Sequence, residues 1–215
     1  MLVLAFDTAT PAVTAALHDG ARVLAESTVV DARRHGELLV PTIEKVLDEA
    51  GASLHDVTAI VAGSGPGPYT GLRVGLMTAQ ALSTAIGAPA YGICSLDAVA
   101  YGSGLTTEFL AATDARRKEV FWARYSDART RLEGPFVDRP ADVPRTGGLP
   151  VVGAGAALYP DVLGEPGAPP YPYGGFMAAL AAERLAAGLP MDQPRPIYLR
   201  RPDAVIPKPP KKVTA

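Results

Sequence analysis

The sequence of 215 residues predicts an α/β protein made of two related lobes, each a mixed β-sheet flanked by helices. Three strand-like segments open the chain and alternating helices and strands follow, an order that favours a mixed sheet covered by helices. A similar run begins near residue 108. Asp7 and Val13 in the first run match Asp114 and Val120 in the second, and both pairs are 107 positions apart (114−7 and 120−13). This repeat predicts a duplicated fold.

Composition limits the classes of function. With 48% apolar residues the chain can bury a sizeable core, and a net charge of −2 argues against a broad surface for nucleic acid. The single cysteine, Cys94, has no internal disulfide partner, and the first ten residues lack the features of a signal peptide. Polar residues interrupt the uncharged stretch 74–96, which favours a buried helix and strand over a membrane span. We therefore expect a cytoplasmic protein without a membrane segment.

The first half is predicted to begin with three strands. The segments "LVLAFD" and "AVTAALHDGARVLAES" are apolar or alternating, with a turn at Asp19-Gly20. "HGELLVPTIEKVLDEAG" has helical spacing and ends at Gly51, with Pro41 in an early turn or at a kink. A strand, a helix, a strand and a helix follow: "VTAIVAG", "TGLRVGLMTAQALSTAIG", "PAYGIC" and "SLDAVAYG". Ribonuclease-H-like folds have the same order, which is an analogy of fold alone.

The second half repeats the strand pattern and then becomes irregular. Two stretches, 134–150 and 164–175, are too rich in proline and glycine for regular elements. Between them "VVGAGAALYPDVL" predicts a short strand and a helix, and "FMAALAAERLAAG" predicts an amphipathic helix. We therefore expect an N-terminal lobe for dimerisation at 1–103, a Pro/Gly-rich C-terminal lobe at 104–200, and a flexible tail at 201–215.

The segment "GSGPGPYTGLRVG", residues 63–75, joins a predicted strand to a predicted helix. It fails the Walker A pattern because no Lys-Ser or Lys-Thr follows the glycines, and it misses G-x-G-x-x-G because Gly71 comes one position late. Two interpretations stay open. Thr70 is an N-cap candidate at a helix start whose free amides favour an anion. Alternatively, the glycines allow positive φ angles and close approach of the backbone.

Other candidate chemistry is sparse. Asp7 and Asp114 each end a strand, where a carboxylate either holds hydrated Mg²⁺ or accepts hydrogen bonds from turn amides. Asp31 and His35 lie four residues apart, which suits either a weak two-ligand metal site or the start of a helix. The three histidines form no His-x-x-x-His or His-Glu-x-x-His pair, so a metalloprotease is disfavoured. Cys94 has no histidine near it in sequence and is expected to be a buried small residue.

Five segments together resemble the bacterial TsaB (YeaZ) family, in order and over nearly the whole chain: "LAFDTAT", "RRHGELLVPTIEKVL", "GSGPGPYTGLRVG", "ATDARRKEVFWARY" and "RPIYLRRP". The resemblance implies a two-lobed actin-like ATPase fold. It implies a role in forming threonylcarbamoyladenosine beside the anticodon, at position 37, of tRNAs that read codons beginning with adenine. Members of this family are understood as non-catalytic partners that dimerise with the related enzyme TsaD, in an assembly that includes the ATPase TsaE.

The resemblance also sets expectations about catalysis and ligands. Asp31 stands where TsaD has the first histidine of a metal-binding pair, which leaves His35 alone and implies no catalytic or metal-binding residues in this chain. Pro68-Tyr69 replaces the common Ser-Phe of the family loop and removes donors for a phosphate. No cofactor is expected for the chain alone, while ATP or ADP is expected in the assembled complex. The candidate phosphate contacts are Asp7, Thr8, Gly65, Gly67 and Asp114.

Family members associate through helices of the first lobe. The expected interface residues lie on the first two helices: Leu39, Ile43, Val46, Leu72, Gly75, Leu76, Ala79 and Ser83. Small residues recur every four positions on the second helix, and the interpretation that this face belongs to the internal core stays open. We expect a homodimer when the protein is alone, a heterodimer with TsaD, and contact with tRNA only through the complex. The alternative is a stand-alone actin-like ATPase or small-molecule kinase that uses Asp7 or Asp114 with Mg²⁺.

Overall fold

The computed structural model describes residues 1–144 and 148–200, which form two five-stranded sheets. The first sheet has the order β3-β2-β1-β4-β5 and consists of β1 (Val3–Asp7), β2 (Ala12–His18), β3 (Val23–Val30), β4 (Ala59–Gly63) and β5 (Ala90–Ile93). The second has the order β8-β7-β6-β9-β10 and consists of β6 (Phe109–Asp114), β7 (Val120–Asp127), β8 (Thr130–Asp138), β9 (Val151–Val152) and β10 (Pro166–Gly167).

The two sheets share one connectivity. In each, the first three strands form an antiparallel meander, and the last two strands add in parallel beside the first. Asp7 is paired with Thr14 and Asp114 with Val120, so each aspartate ends the first strand of its sheet. The prediction of a duplicated fold with mixed sheets flanked by helices is confirmed.

Two long helices cover one face of the first sheet. They are α1 (His35–Ala50) and α2 (Tyr69–Ile86), and their apolar sides join β1, β2 and β4 in one buried cluster. Gly51 and Gly87 follow these helices with φ angles of +63° and +72°, the left-handed caps predicted from their positions. Pro41 lies inside α1 on its exposed side.

The last helix of each half packs on the sheet of the other half. α3 (Ser95–Ser103) follows the first sheet but packs against β6 and β7 through Leu96, Val99 and Ala100. α6 (Gly174–Ala186) follows the second sheet but covers the free face of the first through Met177 and Ala181. The short helices α4 (Ala154–Leu158) and α5 (Pro160–Leu163) link β9 to β10. This exchange joins the two lobes through their cores.

Three local predictions need correction. Thr70 is not an N-cap, because α2 begins one residue before it and Pro68 occupies the cap position. The stretch 134–138 was expected to be irregular but continues β8; a φ of +93° at Gly134 and shifts in register accommodate it on this edge strand. Two residues of the stretch 164–175 form β10. The predicted flexible tail at 201–215 lies outside the described residues.

None of the helices in the described part of the chain is long and apolar enough to cross a membrane.

Candidate functional site

The glycine-rich loop after β4 packs directly against the turn that follows β1. A Cβ atom added at Gly63 would overlap the Asp7 carboxylate, and one added at Gly67 would overlap the Ala9 carbonyl oxygen. Gly71, in the first turn of α2, lies in the same way against the Thr8 carbonyl oxygen. Three glycines of the motif therefore allow one segment of this chain to approach another, as the second sequence interpretation proposed.

Thr8 fastens this turn to α2. Its hydroxyl donates to the Gly71 carbonyl oxygen at 2.7 Å and accepts from the Gly75 amide at 3.1 Å. Gly71 and Gly75 are one helical turn apart, so the hydroxyl lies between a donor and an acceptor that pair directly in an ordinary α-helix. A Cβ at Gly75 would stand 2.7 Å from the Thr8 hydroxyl oxygen, which explains the absence of a side chain there.

Asp7 is fully buried within the first lobe. Its Oδ1 accepts from the Ala9 amide at 2.6 Å, and its Oδ2 accepts from the Ser95 hydroxyl at the start of α3. Burial raises the pKa of Asp7 to about 6, although the Ser95 and Ala9 hydrogen bonds and the nearby His35 lower it in part. Ser95 also accepts from the Gly65 amide and donates its own amide to the Gly65 carbonyl, so the aspartate, the loop and α3 are held together.

Asp114 makes the same kind of turn but lies at the cleft between the lobes. Its Oδ1 accepts from the Arg116 amide at 2.7 Å, and the Arg116 guanidinium is 3.3 Å from its other oxygen. Asp7 and Asp114 thus both bond the amide two residues ahead, which is the turn-amide alternative from the sequence. The cleft has a volume of about 760 Å³ and lies between α1, α2, the end of β6 and α4.

Of the five predicted phosphate contacts, the cleft includes one. Asp114 lines it, together with Thr10, Arg33, Gly71 and Arg116. Asp7, Thr8 and Gly65 are buried and Gly67 is half-buried, and none of these four lines the cleft. Their contacts with phosphate stay a prediction.

Asp31 and His35 are both engaged within the chain. Asp31 accepts from the Arg33 and Arg34 amides at 2.9 and 3.1 Å and from the Arg34 guanidinium at 2.8 Å, and these bonds lower its pKa to about 2. His35 Nε2 lies 2.8 Å from the Thr10 carbonyl oxygen. The arrangement corresponds to the helix-start alternative. Among residues 1–144 and 148–200, no group of three His, Cys, Asp or Glu side chains is placed to hold a metal ion.

The expected partner residues need correction because most of them face the core. Leu39, Ile43, Val46, Leu72, Leu76 and Ala79 belong to the cluster beneath the first sheet, Gly75 is buried, and Ser83 alone of the set is partly exposed. The large apolar side chains that are exposed on the same helices are Met77, Tyr69 and Val40, with exposed fractions of 65%, 51% and 49%. We call these three residues the α1–α2 surface.

Sequence reasoning missed two features near the cleft. Three successive non-glycine residues, Arg116, Arg117 and Lys118, have φ angles of 55° to 62°. The basic run was visible in sequence, but these residue types give no signal for left-handed backbone. The second feature is the segment 192–200, which returns from α6 to the first lobe and has no regular structure.

The segment 192–200, which we call the C-terminal strap, joins both lobes to the loop. The Ile197 amide donates to the Ser64 carbonyl oxygen at 2.8 Å, and Tyr198 stacks on Tyr69 with ring centres 5.3 Å apart. Arg200 then donates to the Ala115 carbonyl oxygen at 2.7 Å in the second lobe. The described part of the segment "RPIYLRRP", residues 195–200, therefore contacts the glycine-rich loop and the turn after β6 together.

Comparison with known proteins agrees with this architecture. The family model described as "TsaD: tRNA N6-adenosine threonylcarbamoyltransferase" matches residues 22–157. An uncharacterized protein of Mycobacterium tuberculosis is 46% identical over 207 residues, covering 94% of this chain and 93% of that protein. The Escherichia coli tRNA threonylcarbamoyladenosine biosynthesis protein TsaB is 32% identical over 220 residues, covering 93% of this chain and 95% of that protein.

A solved structure supports the same assignment. YeaZ from Pseudomonas aeruginosa superposes with a TM-score of 0.78 at 29% identity and covers 92% of this chain and 99% of its own. The agreement extends over both lobes and is accompanied by the identity to E. coli TsaB over almost the whole length. The chain belongs to the TsaB (YeaZ) family and has its two-lobed, actin-like fold.

Proposed function

We propose that this protein is a non-catalytic subunit in the formation of threonylcarbamoyladenosine at position 37 of tRNAs that read codons beginning with adenine. In this proposal it dimerises with TsaD, works with TsaE in the larger assembly, and forms a homodimer when alone. It contacts tRNA through the complex, in the cytoplasm. The observation that carries the proposal is the E. coli relative named for this pathway, which aligns over 93% of this chain and 95% of its own length.

The α1–α2 surface supports the partner role. Met77, Tyr69 and Val40 are large apolar side chains, each about half exposed or more, on two adjacent helices of the first lobe. Exposed large apolar side chains on neighbouring helices are candidates for a protein interface. Arg73 lies 4.6 Å from the centre of the Tyr69 ring and adds a charged group beside one of them.

The residues at the position of the TsaD metal pair support a non-catalytic role. Asp31 accepts hydrogen bonds from the Arg33 and Arg34 amides and from the Arg34 guanidinium, just before α1. His35 Nε2 is at hydrogen-bond distance from a backbone carbonyl oxygen. Converting this pair into a metal site would require breaking each of these bonds and supplying the missing imidazole. Group transfer is therefore assigned to TsaD.

The cleft between the lobes is the proposed place for ATP or ADP in the assembled complex. Its volume of about 760 Å³ is within the range of small-molecule sites, and Arg33 supplies positive charge for phosphates, whereas Arg116 is paired with Asp114. The glycine-rich loop contributes little to a phosphate cradle, because its glycines pack on the chain's own turn at residues 7–9.

Reconstitution tests the proposal. Purified TsaD, TsaE, threonylcarbamoyl-adenylate and substrate tRNA are incubated with this protein or with buffer, and the modified nucleoside is measured by mass spectrometry. We expect at least a tenfold increase in modification when this protein is added, and none when TsaD is omitted. Equal modification with and without this protein would overturn the proposal.

The alternative, a stand-alone ATPase or small-molecule kinase, is favoured by the presence of Asp114 and Arg116 in a cleft of suitable size. It predicts ATP hydrolysis by the protein alone that is lost in Asp114→Asn. We favour the subunit role because Asp7, the matching aspartate of the first lobe, has both oxygens bonded inside the fold. Hydrolysis at several turnovers per minute by the isolated protein would reverse that preference.

A further inference from the structure

A second cavity lies beneath the C-terminal strap and shares no lining residue with the cleft between the lobes. Its volume is about 470 Å³. One side is formed by Ser64, Gly92 and Cys94, at the ends of β4 and β5, and Arg131 of β8 closes another side. The strap supplies the remaining wall with Asp192, Gln193, Arg195, Pro196 and Ile197.

Ser64 carries the informative polar group of this cavity. Its residue is 5% exposed, and its hydroxyl has no hydrogen-bond partner among the described residues. The backbone of Ser64 is satisfied, because its amide donates to the Ile93 carbonyl and its carbonyl accepts from the Ile197 amide, both at 2.8 Å. An unpaired buried hydroxyl lowers the stability of the fold, so the site lacks one hydrogen-bond partner.

The charged side chains of the cavity favour an anion. Arg195 makes no ion pair or hydrogen bond through its side chain with the described residues, and the Arg131 side chain is 32% exposed. Arg131 has Asp97 at 3.3 Å, but Asp97 also pairs with Arg184 at 3.6 Å, so the carboxylate is shared between two cations. Asp192 is the one carboxylate in the lining, and two guanidinium groups line the same cavity.

Cys94 adds no negative charge to the cavity at neutral pH. Burial raises the pKa of its thiol to about 12, and the charge of Asp97 adds to the shift. The thiol therefore stays protonated and adds no negative charge beside Arg131. The carboxylates that offset the two arginines are Asp192 in the lining and Asp97, which Arg131 shares with Arg184.

Backbone hydrogen bonds hold the walls of the cavity in place. The Gly92 amide donates to the Asp192 carbonyl at 2.9 Å, and the Ile197 amide holds the other end of the strap to Ser64. A preformed site of this kind binds a ligand without the cost of ordering a loop.

We propose that the cavity beneath the strap binds a small oxyanion, a carboxylate or phosphate group, between Arg131 and Arg195 with the Ser64 hydroxyl as an additional donor. A guanidinium group can donate two parallel hydrogen bonds to two oxygens of a planar carboxylate or a tetrahedral phosphate. The bound anion ties the strap to β4 and β5. The strap also contacts the α1–α2 surface, because its Tyr198 ring stacks on the Tyr69 ring.

The test is an NMR titration of the ¹⁵N-labelled full chain with inorganic phosphate and, separately, with acetate. We expect saturable shifts at the Ser64, Gly92, Cys94 and Ile197 amides. Shifts with phosphate alone identify a phosphate site, and shifts with both anions identify a general oxyanion site; either result supports the proposal. We expect binding to weaken at least tenfold in Arg195→Ala and in Ser64→Ala.

Two controls make the result specific. Arg139→Ala removes an exposed arginine that does not line the cavity and is expected to keep the wild-type titration. Ser64→Ala is expected to unfold at an equal or higher temperature than the wild type without added anion, since it removes the unpaired hydroxyl. The proposal is overturned if neither anion gives saturable shifts, or if Arg195→Ala, whose exposed side chain can be removed without disturbing the core, binds as tightly as the wild type.

Discussion

Single residues in the turn after β1 serve the fold by bonding to distant parts of the chain. Asp7 reaches Ser95, and Thr8 reaches Gly71 and Gly75, across 63 to 88 positions of sequence. The sequence located Asp7 at the end of a strand because an apolar run stops there. Its partners were beyond prediction, since they are brought to it by the packing of α2 and α3.

The raised pKa of Asp7 predicts a dependence of stability on pH. The pKa is about 6 in the folded protein against an ordinary 3.8, so the contribution of Asp7 to stability is complete below about pH 4 and is lost as the pH rises through 6. In the Asp7→Asn variant the side chain is an amide that cannot ionise, so this variant lacks the pH dependence that Asp7 contributes. Between pH 4 and 7.5 we expect the unfolding free energy of the wild type to fall by about 2.4 kcal/mol relative to this variant.

Urea unfolding followed by the fluorescence of Trp122, the single tryptophan, provides the measurement for Asp7→Asn. Parallel stability curves of the two proteins across this pH range would contradict the assignment of a buried, high-pKa carboxylate.

The close approach of Gly71 to the Thr8 carbonyl oxygen predicts a large cost for a methyl group there. The added Cβ of Gly71→Ala would overlap the Thr8 carbonyl oxygen, so the backbone of α2 or of the turn after β1 would have to move. We expect this variant to have an unfolding free energy lower by about 2–3 kcal/mol. Gly36→Ala is the matched control: it lies in the first turn of α1, and its added Cβ would meet Val74 at an ordinary 3.9 Å. We expect the control to be neutral or to stabilise by up to about 1 kcal/mol. Equal melting temperatures for the two variants would refute the packing argument.

At the scale of elements, α2 shows where pattern reasoning succeeds and where it stops. Its C-terminal end followed from the apolar spacing and the terminal Gly87, whereas the helix begins at Tyr69, one residue before the expected N-cap Thr70. The small residues every four positions were also visible, but two interpretations of that face were open, and the structure places Gly71, Gly75 and Ala79 inward. A helix that packs on a sheet and meets a partner has two apolar faces, and periodicity does not say which one the sheet takes.

The exposed face of α2 predicts the effect of substitutions on association. Met77→Glu places a charge on the α1–α2 surface without entering the core, and we expect at least tenfold weaker self-association and weaker binding to TsaD with an unchanged fold. Leu132→Glu, at an exposed position on β8, is the control and should associate normally. Sedimentation velocity and circular dichroism provide the readouts, and an unaltered dimer in Met77→Glu would show that the interface lies elsewhere.

On the same helix we expect the opposite outcome for Ala79→Arg, which should disrupt the fold. Ala79 has no exposed surface and packs in the core beneath the first sheet, so an arginine there is expected to unfold the lobe and not merely to weaken association. A folded, monomeric Ala79→Arg protein would contradict this placement.

At the scale of the whole molecule, the exchange of α3 and α6 makes the two lobes depend on each other. The first sheet is covered on one face by α1 and α2 and on the other by α6, which begins 88 residues after α2 ends (174−86). The second sheet receives α3 in return. The division of the chain into lobes between residues 103 and 104 stays a prediction. The packing shows that separating the two parts would leave each sheet without the helix that the other part supplies.

Cutting the chain tests this dependence. A fragment of residues 1–104 leaves the side of the first sheet formed by Val3, Ala5 and Val61 without α6, and we expect it to lack cooperative thermal unfolding on its own. Mixing it with a fragment of residues 105–200 should restore a cooperative transition, because each fragment carries the helix that the other lacks. Cooperative unfolding of the first fragment alone would show that the lobes are independent.

The sequence by itself determined most of the strands, the long helices and their glycine ends, the duplication, and the family, because each depends on local spacing or on ordered motifs along the chain. It missed the end of β8 and the whole of β10. Tertiary structure alone decided which face of α2 is buried, that Asp7 lies inside the lobe while Asp114 lines the cleft, and that a cavity forms beneath the strap. These outcomes depend on contacts between residues tens of positions apart. A strand-ending aspartate or a helix of small residues has the same local pattern in either environment, and packing is what separates them.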